Sequence, residues 1–234
     1  RIEEGEDAVP EELALWELIE QQRYVRAREE AERYLAEHPE SYVAHLVLGS
    51  AQHYGEANFP KALFHEVQAL ALFESKEGVE PAQTQPWRWH ARILIALTRA
   101  HGDLEHYDEQ LKFMLRYNEL YTPQLTAEMA WPLMNKREFE KARLAAEEGL
   151  ATGDPYQIER AKNALCAIEF EAGNDRESYE VCAEAVEYGE RHFGSATAVD
   201  LGNYAEAARS VFRFDEAETL LTEASKSGLS WYGN

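Results

Sequence analysis

The sequence predicts an all-α fold, a solenoid of about six helical hairpins built from about twelve helices. Three observations carry that expectation: a short phrase recurring along the chain, apolar stretches at helical spacing ahead of each recurrence, and turn chemistry between them. No segment shows the sustained alternation and hairpin turns of strands.

The phrase opens with an aromatic or aliphatic residue, continues with two mostly polar residues and closes on a small one. It reads Tyr24-Val25-Arg26-Ala27, Phe59-Pro60-Lys61-Ala62, Leu104-Glu105-His106-Tyr107, Phe139-Glu140-Lys141-Ala142, Asp175-Arg176-Glu177-Ser178 and Phe214-Asp215-Glu216-Ala217. The closing positions are separated by 35, 45, 35, 36 and 39 residues. Seven residues further on stand Tyr34, Ala69, Met114, Gly149, Ala185 and Ala224. That spacing is two helical turns along one face, and where the residue is small the face admits a close neighbour.

The units follow in order. Residues 9–40 hold the apolar run Leu13 to Ile19, then the first phrase, and end at Pro39. Residues 41–74 hold Tyr42 to Gly49 and the second phrase; residues 75–85, rich in Gly, Pro, Gln and Glu, connect them to the third unit. Residues 86–121 carry Ala91 to Ala100, with Gly102-Asp103 as the helix stop. Residues 122–153 begin at Thr122-Pro123, a cap followed by a proline suited to a first turn. In that unit Trp131-Pro132 predicts either a kink, by loss of the bond to Glu128, or a helix with a displaced boundary. Residues 154–193 open with the same chemistry at Asp154-Pro155, run through Ala161 to Phe170 and turn at Gly173-Asn174. Residues 194–228 begin at Gly194-Ser195. The whole of 1–234 reads as one solenoid domain, and its start at Arg1 without methionine leaves room for a longer parent chain.

Composition limits the partners. The chain has 23 Lys and Arg against 44 Asp and Glu, a net charge of −21. That sign repels nucleic acid backbones and anionic lipid surfaces, and no apolar run approaches the length of a membrane span. The acidic excess is mostly glutamate, the composition of a solvated helical surface. Two cysteines make no disulfide framework, and Cys166 and Cys182, set among apolar residues, read as buried thiols. Free thiols favour a reducing compartment, hence a cytoplasmic location.

With these phrases and turns the chain resembles the tetratricopeptide repeat family over residues 9 to 228. The resemblance implies a right-handed α-α superhelix whose inner surface is lined by the first helix of each hairpin. It also implies a non-enzymatic role in protein–protein interaction, as scaffold or adaptor. Projected here, the inner face carries Trp89, Arg92, Ala96 and Arg99 in the third unit, and Gln124, Ala127, Trp131 and Met134 in the fourth. The fifth gives Arg160, Asn163, Ala167 and Phe170, and the sixth gives Val199, Gly202, Asn203, Glu206 and Arg209. The family's dicarboxylate-clamp arrangement of Lys, Asn and Arg is not reproduced, since its lysines are missing and Ala96 stands in place of an asparagine.

The candidate groove residues are therefore Trp89, Arg92, Arg99, Gln124, Trp131, Arg160, Asn163, Phe170, Asn203, Glu206 and Arg209. Arginine forks and asparagine amides suit carboxylates, and tryptophans give anchoring surface. The expected guest is an extended peptide or protein segment with carboxylates. A packing role stays open for the same residues, with arginines paired to neighbouring glutamates and tryptophans wedged between hairpins. There is no phosphate-binding glycine loop, no His-Glu-x-x-His, no Cys-x-x-Cys and no nucleophile elbow, so no catalytic, cofactor or metal residue is assigned. Two alternatives accompany the adaptor reading: a sensory or regulatory domain of a multidomain protein, and a homodimer formed through the C-terminal end. The second follows because little chain beyond the sixth hairpin, chiefly Trp231 and Tyr232, is left to cover its apolar face.

Overall fold

The computed structural model describes residues 9–79, 87–121 and 124–226, and those residues form twelve α-helices, one 3-10 turn and no strand. They pair as α1 (Pro10–Glu20) with α2 (Tyr24–Glu37), α3 (Tyr42–Glu56) with α4 (Phe59–Glu77), and α5 (Trp87–Asp103) with α6 (Tyr107–Leu120). Then come the 3-10 turn Ala127–Met129 and α7 (Ala130–Asn135) with α8 (Phe139–Ala151), α9 (Pro155–Glu171) with α10 (Asp175–Phe193), and α11 (Ala198–Ser210) with α12 (Phe214–Lys226). All six expected hairpins are present, and every second helix begins at or next to its recurring phrase. The Thr122-Pro123 cap, most of the 75–85 connection and the Trp231-Tyr232 tail lie outside the described residues.

The six turns share one backbone device. Two places before each second helix, the chain adopts positive φ: Gln22 at 57°, Ala57 at 50°, Glu105 at 59°, Arg137 at 61°, Gly173 at 80° and Phe212 at 65°. In five of the turns the next N–H reaches back to the carbonyl five residues earlier. Those bonds are Arg23 to Leu18 (2.8 Å), His106 to His101 (2.8 Å), Glu138 to Leu133 (2.9 Å), Asn174 to Glu169 (2.9 Å) and Arg213 to Ala208 (2.8 Å). This closure satisfies carbonyls orphaned at the helix end and reverses the chain in three residues. Only Gly173 is a residue that adopts that conformation without cost.

Two compact units result, residues 1–124 and 125–234, where the sequence reading treats the chain as one domain. Within the first, α3 packs on α2 and α4, and α5 on α4 and α6, with the first helices α1, α3 and α5 also touching in series. Within the second, α8 packs on α9 and α10 on α11, while α9 reaches both α7 and α11. The small phrase-closing residues are at these seams: Ala27, Ala62, Ala142 and Ser178 are fully buried. Gly149 lets two helices meet, for a Cβ there would lie 2.7 Å from the Cβ of Ala127 and 3.3 Å from that of Ala161.

Pro132 is resolved in favour of the displaced boundary. The helix starts at Ala130, so Pro132 occupies its first turn, where an absent N–H breaks no helical bond. Asp154 caps α9 as expected, accepting from the Gln157 N–H at 2.9 Å, with Pro155 at the first position. Gly194 ends α10 in the left-handed region, but Thr197, not Ser195, caps α11, forming a capping box with Asp200.

The cysteine expectation is corrected. Cys166 on α9 and Cys182 on α10 are both buried but joined in a disulfide, with Cα atoms 4.7 Å apart. An antiparallel hairpin turning at Gly173 sets residues nearly equidistant from the turn opposite one another, which counting cysteines alone did not use. The free-thiol argument for a reducing compartment is thereby removed.

Candidate functional site

In the first unit, residues of α1, α3, α4 and α5 line a cleft of about 360 Å³, together with Gln22 from the α1–α2 turn and Tyr24 at the start of α2. Three aromatic side chains, Trp16, Tyr24 and Tyr54, line it together with Glu66, Arg92 and Arg99. Trp16 meets the buried Trp89 edge to face, ring centres 5.8 Å apart. The Arg92 guanidinium lies over both rings, 4.6 Å from the centre of Trp16 and 4.9 Å from that of Trp89. Glu20 fixes this stack, accepting from Trp16 Nε1 at 2.7 Å and from Arg92 Nη2 at 3.3 Å. Such cation–π packing holds the arginine in place while leaving part of its charge toward the cleft.

Arg99, two helical turns further along α5, is exposed and donates to the Tyr54 hydroxyl. Tyr54 in turn leans on Tyr24, ring centres 5.9 Å apart. His53 sits beside it, its Nε2 3.1 Å from Asp103 Oδ2.

Glu66 is the unusual member. It lies on the buried face of α4 with Ala62, Ala69 and Phe73, and only 1% of its surface is exposed. Gly49 on α3 makes room for it: a Cβ at that position would come within 2.9 Å of Glu66 Cγ. Glu66 Oε2 has no hydrogen-bond partner among the described residues. Burial pushes its pKa up to about 8; Arg99 opposes the shift and Asp103 adds to it.

The sequence-derived candidates are distributed unevenly. Arg92 and Arg99 share the cleft, with Trp89 behind Arg92 in the core rather than on the cleft wall. Gln124 is exposed and donates to the Asn118 carbonyl at 3.0 Å.

In the second unit Trp131 is half-buried against the α7–α9 core, and Phe170 is half-buried on α9. Arg160 is exposed and pairs with its neighbour Glu159 at 3.7 Å; Arg209 pairs with Glu206. Asn163 is buried, donates to Asp200 and accepts from Asn203 Nδ2 at 3.2 Å. Because Asp200 also closes the Thr197 capping box, this network ties α9 to the start of α11. Glu159 beside it is pushed up by burial and then by the Asp200 charge.

Sequence reasoning missed Trp16, Tyr24, Tyr54 and Glu66. Trp16 and Tyr54 lie on the first helices of the first two hairpins, so extending the inner-stripe rule to those units finds them. The signal for Glu66 is its place in the period Ala62, Glu66, Ala69, Phe73, where a carboxylate occupies an inward position. No group of three or more His, Cys, Asp or Glu side chains is placed to hold a metal ion among the described residues. No helix among them is long and apolar enough to cross a membrane.

The class defined by these hairpins is the tetratricopeptide-like helical repeat. No protein-family model matches the chain, and no curated protein sequence does. Among solved structures it is similar to the APC/C hetero-tetramer Cut9–Hcn1, with a TM-score of 0.64 and 14% identity, covering 91% of this chain and 38% of that one. The chain thus spans well under half the length of that neighbour. It is also similar to BtubC (BKLC) from P. vanneervenii, with a TM-score of 0.57 and 16% identity, covering 94% of this chain and 93% of that one. At such identities the likeness is one of fold.

Proposed function

We propose that this chain is a non-enzymatic interaction module, a scaffold or adaptor that holds an extended carboxylate-bearing protein segment against its first helices. One observation carries the reading: in a chain of net charge −21, Arg92 and Arg99 converge with Trp16, Tyr24 and Tyr54 on one cleft. Guanidinium forks beside aromatic anchors are the chemistry of interface hot spots. The neighbouring Cut9–Hcn1 structure is a hetero-tetramer, which is consistent with a fold used for assembly.

Arg99 is the residue to test, because it is exposed and lies outside the Trp16–Trp89 stack. Arg99→Glu is expected to lose the partner captured by the wild-type chain from its native lysate while its circular dichroism stays unchanged. Undiminished capture by that variant sinks the cleft as the partner surface.

A further inference from the structure

We infer that the cleft of the first unit binds a small monocarboxylic acid with an aromatic or aliphatic tail, gripped between Arg99 and the carboxyl of Glu66. The site shares Arg92 and Arg99 with the partner surface proposed above, and the inference rests on that surface being open to ligand.

Four observations lead there. The cleft, about 360 Å³, is at the small end of the about 300–1,000 Å³ typical of ligand pockets. Glu66 lines it, is 1% exposed, and keeps Oε2 without a partner among the described residues. Most buried polar atoms are satisfied, so an unpartnered carboxyl oxygen on a residue that lines the cleft points to a missing partner. That partner is an acceptor rather than an amine, because Arg99 faces the same space and repels a cation, while Arg92 is already paired with Glu20. Trp16, Tyr24 and Tyr54 supply the wall for an apolar tail.

Glu66 then acts as a hydrogen-bond donor. Its O–H donates to one oxygen of the ligand carboxylate while Arg99 donates to the other. The charged groups acting on Glu66 are Arg99 and Asp103 from α5; His53 from α3 lines the same cleft, with Glu20 and Arg92 at its stacked end. Below about pH 8 Glu66 holds its proton. Above that, the two carboxylates oppose each other, so affinity falls about tenfold per pH unit. Working between pH 7 and 9.5 avoids the ordinary range of histidine titration.

The test is calorimetric titration with 3-phenylpropionate at pH 7, 8 and 9.5, with an acetylated, amidated Ala-Glu-Ala peptide as the second probe. The expected result is saturable binding of 3-phenylpropionate, level from pH 7 to 8 and at least tenfold weaker at 9.5. Glu66→Gln keeps a donor without a titrating proton, so it should bind at all three pH values without that fall. Arg99→Met should weaken binding at least tenfold throughout.

No saturation at millimolar 3-phenylpropionate, or an unchanged pH dependence in Glu66→Gln, overturns the assignment. Tighter binding of the peptide overturns the small-acid source in favour of a protein side chain. If wild type captures its protein partner through Arg99 yet binds neither probe, the interaction module stands and this inference falls.

Discussion

Arg143 on α8 grips Glu169 on α9 with two parallel hydrogen bonds, Nε to Oε1 at 2.6 Å and Nη2 to Oε2 at 3.0 Å. Asn174, from the following turn, adds a third at 2.6 Å to Glu169 Oε2. One carboxylate thus fastens two hairpins and a turn. Arg143→Ala should cost roughly 2 kcal/mol in urea unfolding, since it leaves a largely buried carboxylate with Asn174 as its remaining donor. A loss under about 0.5 kcal/mol would show the fork to be ornamental on the scale of an exposed pair.

The same pair sets an acid limit. Arg143 holds the Glu169 carboxyl below its ordinary value of 4.5. A depressed folded-state pKa contributes stability that is complete above the ordinary value and disappears as pH falls through the folded one. Glu169→Gln should therefore flatten the acid limb of a Tm-versus-pH curve below about pH 4.5.

Glu66 works in the opposite direction. Its folded pKa is raised from 4.5 to about 8, so the native state retains a proton that the unfolded chain releases. Stability should decline by up to about 1.4 kcal/mol per pH unit across that interval and level off above it. Glu66→Gln should remove this slope while leaving helicity intact. A wild-type chain with no slope between pH 5 and 8 would contradict the burial of an unpartnered acid.

The positive-φ turn residues offer stabilising substitutions. Glu105→Gly and Arg137→Gly each release side-chain strain at φ 59° and 61°, and the exposed side chains make them readable. Each should raise stability by about 0.5–1 kcal/mol, and Gly173→Ala should lower it by about 1 kcal/mol. Denaturant midpoints decide the signs.

The Cys166–Cys182 bridge closes a separation of 16 residues. By loop-closure entropy its loss is worth about 3 kcal/mol. Mild reduction, or Cys182→Ser, should lower the Tm of the second unit without unfolding the first. A reduced chain with the same melting curve would mean that the α9–α10 packing alone sets the stability.

Much of the fold was legible because close packing of hairpins demands small residues at fixed seams: Ala27, Ala62, Ala142, Ser178 and Gly149 mark helix contacts in the structure as their spacing predicts. The candidate cleft was legible only in part. Arg92 and Arg99 follow from helical periodicity, but whether Arg160 or Arg209 faces a guest depends on rotamers and on adjacent glutamates, which spacing does not encode. Glu66 was hidden by composition, one glutamate among a surplus of acidic residues on helices. The disulfide was hidden because its partners become neighbours only once the turn at Gly173 is placed.

The left-handed position before every second helix bears on how such arrays are compared. Six turns repeat one torsion angle while spelling it Gln, Ala, Glu, Arg, Gly and Phe, so the periodicity of this architecture is stored as geometry rather than as letters. An array built this way keeps reversing direction on schedule whatever residue fills the position, and superposition registers the shared turn where the letters have nothing in common.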